Sequence, residues 1–371
     1  MHRRKFLTSA IAAACAIAVA PAFSAIVSSG FIPTSRKRGT TVRNVKDYGA
    51  KGDGSTDDTK AIQAAINSLP STGGTVAIPA GTYMIDTVTT MGIRLRSNML
   101  LQMADGATLK AKTSSVKRAY VLYINNISEV EIAGGQIIGD RATHKYASGS
   151  TDEWNHGIQI ANGDRLTIRD IRIAECTGDG ICVGGGSDDV MFVNIISTHN
   201  RRQGLSLTLC SNIAVYDSEF SYTQGTAPEF GIDIEPLGTY TCKNVHIENC
   251  WLHHNAKDGV HCVSNVSQVT VTKCLIEYNG RNGMVVNGKT GTNNIHYTNN
   301  VVQQNYAPGI ALYYGDYIYI SGNTFYNNRT KGAALDRSPD FSYTGWKSAI
   351  SRDIQQPSNT QHLSIGSNLY K

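Results

Sequence analysis

Charge is scarce in this chain: Asp, Glu, Lys and Arg make up 17% of its 371 residues, against roughly 25% in ordinary soluble domains. That scarcity excludes a coiled coil, which needs charged flanking positions, and a charged disordered chain. Past the N-terminus no apolar run is long enough to cross a bilayer, which excludes a polytopic membrane protein. No Cys-x-x-Cys pair and no Cys/His cluster with zinc spacing occurs. No cofactor and no metal is therefore expected, and Gly184-Gly-Gly-Ser-Asp-Asp189 is read as a turn, not a calcium loop.

Acidic residues are missing altogether from the first forty positions, which hold Arg3, Arg4, Lys5, Arg36, Lys37 and Arg38. The formal charge of +5 comes from 34 basic and 29 acidic residues; without those six the rest carries 28 against 29, a balance of −1. The positive charge is local, so it gives no support to nucleic acid as a partner.

Met1 to Ser24 has a basic start, an apolar run from Ala10 to Ala20 and small residues around Ala20-Pro21-Ala22, the pattern of a secretory signal peptide. Arg3-Arg4-Lys5-Phe6-Leu7 resembles the twin-arginine signature. Residues 25–40 read as a linker and 41–371 as one domain. The expected location is the periplasm, the outer membrane surface or the extracellular space. Seven cysteines remain after the leader (176, 182, 210, 242, 250, 262 and 274) and read as buried small hydrophobes.

What the chain has in excess is glycine, 36 residues, and its placement is periodic. Gly followed by apolar-x-apolar recurs at Gly157, Gly180, Gly204, Gly231, Gly259, Gly283, Gly309 and Gly332, at intervals of 23, 24, 27, 28, 24, 26 and 23. Four residues before the Gly stands an asparagine in five repeats: Asn200, Asn255, Asn279, Asn305 and Asn328. Short period-2 strands in repeats of this length predict an all-β parallel solenoid with three strands per coil, regular over 157–335 and closed by 336–371. Gly is expected to permit the turn into each strand, and the Asn column to bond turn backbone and its own neighbours.

Residues 41–83 are expected to cap the stack and begin its strands. Asn44-Val-Lys-Asp-Tyr-Gly-Ala-Lys-Gly-Asp-Gly-Ser-Thr-Asp-Asp-Thr-Lys-Ala-Ile-Gln-Ala-Ala-Ile66 ends in a short amphipathic helix, with Asp57 and Asp58 placed to cap its first amides. Gly73-Gly-Thr-Val-Ala-Ile-Pro-Ala-Gly-Thr-Tyr83 follows as strand. This stretch resembles the entry segment of the pectate-lyase-like superfamily of right-handed parallel β-helices. The resemblance implies contact with, or action on, a polysaccharide. Within the superfamily the chain is most similar in kind to tailspike-like depolymerases, which implies a homotrimer as one option.

Other branches fit less well. Phe230-Gly-Ile-Asp-Ile-Glu-Pro236 resembles the alginate-epimerase strand Tyr-Gly-x-Asp-Pro-His at Gly231 and Asp233, but Phe230 and Glu235 replace its tyrosine and histidine. Polygalacturonase motifs are replaced by Gly178-Asp-Gly, Ser187-Asp-Asp and Arg202-Gln-Gly, so their catalytic residues are not carried over.

In each Gly-apolar-x-apolar strand the second and fourth residues after Gly are expected to face solvent. Charge concentrates on one coil: Asp233 and Glu235 share a face, about 6.6 Å apart at ~3.3 Å per residue, with His261 stacked on Asp233. Loops 222–230 and 237–243 lengthen the two longest repeats and flank that strand, as binding insertions in solenoids do. Two carboxylates are the minimum for glycoside hydrolysis, so Asp233 and Glu235 are the expected catalytic pair, with Glu229 as a replacement for either. His261, Asp258, Arg202, Gln203, Asp179, His156, Trp154 and Tyr313 are the expected substrate-binding residues. Arg202 and His261 suit an acidic sugar. The expected function is a secreted endo-glycosidase of a bacterial, acidic exopolysaccharide. The alternatives are a polysaccharide lyase with His261 or Tyr313 as base, and a non-catalytic glycan-binding protein.

Overall fold

A computed structural model describes residues 29–328, 353–355 and 360–370. The expected leader, Gly332 and most of the expected C-terminal cap lie outside the described residues.

Strands pile into three parallel stacks. The first runs through Ile181–Gly184, Leu205–Leu207, Ile232–Ile234, Val260–Cys262, Met284–Val286 and Ile310–Leu312. The second runs through Ser187–Val193, Cys210–Tyr216, Cys242–Glu248, Val266–Thr272, Asn293–Thr298 and Asp316–Ser321. The third holds the three-residue strands from Arg172–Ala174 to Thr324–Tyr326. One coil contributes one strand to each stack, so the fold is a parallel β-helix. In the two coils just before Ile181–Gly184 the first and second strands fuse into Arg118–Ala133 and Trp154–Arg169.

Register follows the repeat: Ile181, Leu205, Ile232, Val260, Met284 and Ile310 lie on consecutive rungs. These residues and those two further along are fully buried. Together with the inward residues of the other stacks they form one continuous apolar core along the helix axis. All seven cysteines of the described chain are buried.

The glycine column has a different cause from the one expected. Gly204, Gly231, Gly259 and Gly283 are not among the glycines with positive φ. A Cβ at each would lie 2.5–2.7 Å from the carbonyl oxygen of the glycine on the next coil. Glycine is therefore required by the close approach of stacked backbones rather than by a left-handed turn. The asparagine column behaves as expected. Asn255, Asn279 and Asn305 each donate their backbone N–H and side-chain amide to the Oδ1 of the next Asn, at 2.9–3.2 Å. A second such ladder, Asn300–Asn323–Asn368, stands at another corner.

At the N-terminal end an α-helix, Thr59–Asn67, buries Ile62, Ala65 and Ile66. Asp57 accepts from the Thr59 amide, but Asp58 makes no capping bond. Its carboxylate instead takes the amides of Lys51 and Gly52, closing the preceding turn. Residues 29–40, expected as a linker, lie along the second stack. Ser29 bonds Asp217, Phe31 stacks on Tyr216 at 4.0 Å, Arg36 bonds Thr167 and Asp189, and Arg38 pairs with Glu131. Arg36 and Arg38 are thus paired by carboxylates of the body itself.

Candidate functional site

Asp233 projects outward from Ile232–Ile234, on the rung between Ser206 and His261. It does not face open solvent as expected. It is 2% exposed, because residues preceding each Gly turn over the same face and cover the column. Asp179, Gln203, Phe230, Asp258 and Asn282 form that covering row, and all are buried. The outer face of these coils is therefore a polar layer that is itself largely dehydrated.

Arg202 organises it. Nη1 donates to Asp179 at 3.1 Å and to Glu235 Oε1 at 3.1 Å, and Nη2 donates to Glu235 Oε2 at 3.3 Å. Its Nε lies 3.1 Å from Glu153 Oε2, a charge contact without hydrogen-bond alignment. Gln203 Nε2 donates to Glu235 Oε1 at 3.0 Å, and Ser206 Oγ donates to Asp179 Oδ2 at 2.9 Å. Asp233 Oδ1 is buried with no hydrogen-bond partner among the described residues. Burial and the adjacent Glu235 charge hold its carboxyl well above the usual range. Burial raises Glu235 too, with the Arg202 charge opposing. The result is two neighbouring carboxyl groups in unlike settings: Asp233 raised with no partner on Oδ1, and Glu235 raised less freely because Arg202 opposes the shift.

One coil further, His261 stacks on Phe230 with centroids 4.4 Å apart, and its Nδ1 lies 2.9 Å from Asp258 Oδ2. Asp258 also accepts from the backbone and side chain of Asn282. Burial pushes the Asp258 carboxyl up, but the His261 hydrogen bond and the Arg281 charge outweigh it and leave it below the usual range. Tyr313 lies 3.3 Å from Arg281 Nη2. On the other side His156 accepts the Asp179 amide through Nδ1, and burial lowers its pKa to about 3. Trp154 is partly exposed, with the Arg118 guanidinium 4.9 Å over its ring, and lines a pocket together with Lys117 and Glu153.

The Glu229 carboxylate accepts from Gly225 N and faces Lys257 at 3.7 Å, closing its own loop. Asp179 is the third carboxyl group around Arg202. Arg202 and His261, expected to meet a sugar carboxylate, are already engaged by Asp179, Glu235, Glu153 and Asp258. Glu153 and Ser206 were not singled out from the sequence. Ser206 stands in the same column as Asp233, and Glu153 stands four positions before its Gly, at the offset that asparagine holds in other repeats.

His156, Asp179 and Cys182 bring ligand-type atoms within 4.8 Å of one another. The set does not fit a metal ion. Nδ1 already accepts an amide, both Asp179 oxygens are bonded by Arg202 or Ser206, and burial pushes the Cys182 thiol far up.

Residues 42–255 match the family described as rhamnogalacturonase A/epimerase, pectate lyase-like. The chain belongs to that family. Residues 241–345 also match a right-handed β-helix region. Among curated relatives, YclG of Bacillus subtilis (strain 168) is 31% identical over 69% of this chain and 46% of its own length. Mannuronan C5-epimerase AlgE3 of Azotobacter vinelandii is 28% identical over 58% of this chain and 14% of its own. The chain thus spans less than half the length of these relatives. The A-module of mannuronan C-5 epimerase AlgE6 from Azotobacter vinelandii superposes with a TM-score of 0.57 at 17% identity, covering 89% of this chain and 99% of that one. An exopolygalacturonase of Thermotoga maritima gives 0.59 at 12% identity, covering 91% and 93%. These structures share the right-handed pectate-lyase-like β-helix, a family with polysaccharide-active members. No helix among the described residues is long and apolar enough to cross a membrane.

Proposed function

We propose that this family member is an exported glycoside hydrolase that cuts a bacterial exopolysaccharide internally, at the outer face around Asp233. The observation that carries the reading is the buried, unpartnered Asp233 carboxyl two residues from Glu235, whose carboxylate group is held by Arg202 and Gln203. Glycoside hydrolysis needs one carboxyl group that donates a proton to the leaving oxygen and one carboxylate that receives the water's proton or the glycosyl group. Asp233 takes the first role. Glu235 takes the second, oriented by both arms of Arg202 and by Gln203. Asp179 holds Arg202 in place from below. Trp154 offers a ring for a sugar farther along the polymer.

A second reading, a lyase, rests on His261. Asp258 orients the imidazole one rung from Asp233, which places His261 to act as the base that removes a proton beside a uronate. Products decide. New reducing ends without ultraviolet absorbance support the hydrolase; absorbance from an unsaturated uronate replaces it with the lyase. Binding without either product leaves only a glycan-binding role.

A further inference from the structure

All three guanidinium nitrogens of Arg202 face carboxylates of the protein: Nε faces Glu153, Nη1 faces Asp179 and Glu235, and Nη2 faces Glu235. One guanidinium is set against three carboxyl groups, beside a fourth on Asp233. Two cations on the His261 side are matched as well. Arg281 lies 3.9 Å from Asp258, and Lys257 lies 3.7 Å from Glu229. A uronate placed at the pair would bring acceptor-only oxygens to a row of acceptors and like charge to a dehydrated carboxylate layer. Sugar hydroxyls donate hydrogen bonds and suit that row.

Building on the hydrolase reading, we infer that the sugars on either side of the cleaved bond are neutral, recognised through hydroxyl groups that donate to Glu235 and its neighbours. The acidic polymer expected from the sequence is thereby replaced by a neutral glycan.

Affinity gels test this with the Asp233→Asn protein, or with the wild type on ice if that variant does not fold. The gels contain a polyuronate, the same polymer with its carboxyl groups reduced to alcohols, or neutral bacterial glucans and mannans. Neutral and reduced polymers are expected to retard the protein at least about tenfold more strongly than the polyuronate, a ratio that one unpaired charge contact of ordinary strength produces. A polyuronate that retards it as strongly as its reduced form overturns the inference and leaves hydrolysis untouched. Preferential retardation by neutral polymers that the wild type does not cut supports neutral-sugar recognition and removes the hydrolase reading.

Discussion

Arg202 and Glu235 meet edge to edge across adjacent coils, Nη1 on Oε1 at 3.1 Å and Nη2 on Oε2 at 3.3 Å. The same guanidinium reaches back to Asp179 on the coil below. One side chain thereby ties three coils together and fixes the carboxylate that the proposed reaction requires.

Removing that tie leaves charge behind. Arg202→Gln is expected to destabilise the fold by ~3–5 kcal/mol, because Asp179 and Glu235 lose their cation while still buried. The loss should shrink as pH falls and the two carboxylates take up protons. Urea unfolding near neutral pH and in acid measures both.

Asp233→Asn keeps shape and hydrogen-bonding capacity but removes the proton. Polymer cleavage is expected to fall by ~10²–10⁴-fold, the usual worth of a general acid, in a reducing-end assay. Stability should move the other way. The Asp233 carboxyl is raised above its ordinary 3.8 by burial and by Glu235. Its contribution is whole below that value and is lost as pH rises through the native one. The variant's gain in melting temperature is therefore expected to be larger in alkali than in acid.

His156 sets an opposite slope. Burial first, then the charges of Arg202 and Arg118, lower it from 6.5 to about 3. The stability that goes with the neutral ring is present above 6.5 and is lost as pH falls from there toward about 3. His156→Gln retains an acceptor for the Asp179 amide and should flatten that limb in melting curves recorded across the window.

Asn279→Ala interrupts the first asparagine ladder. The Asn255 backbone amide and the Leu252 carbonyl lose their partner inside the fold, while Asn305 Oδ1 keeps the backbone N–H of residue 279. Each unsatisfied buried group costs about 1–3 kcal/mol. A total of at least ~2 kcal/mol is expected by denaturant titration, whereas alanine at exposed Asn287 should change little.

Arg36 holds residues 29–40 to the second stack through Thr167, the Leu166 carbonyl and Asp189. Arg36→Ala should speed amide exchange of residues 29–38 while the exchange of Trp154–Arg169 stays slow. Unchanged protection of the segment would show that Phe31 on Tyr216 and Arg38 on Glu131 hold it alone.

Much of the architecture was legible in the chain. A repeat that alternates apolar residues and places Gly and Asn at constant offsets leaves one arrangement in which the alternating apolar residues are inside and consecutive Asn from Asn255 to Asn328 meet. The residue column that carries Asp233, Ser206 and His261 was likewise readable from strand alternation. The cause of the Gly column was not, because contact between coils ~4.8 Å apart is a property of stacking and not of local conformation.

The sequence by itself determined the coil, its register and which coil concentrates acid. Only the tertiary structure decided the state of that acid. Whether Asp233 is solvated or dehydrated depends on a covering row drawn from five coils. Whether Arg202 is free for a ligand depends on Asp179, Glu235 and Glu153, which lie 23, 33 and 49 positions away in sequence. Charge balance is set by distances in space, and period along the chain carries no record of it.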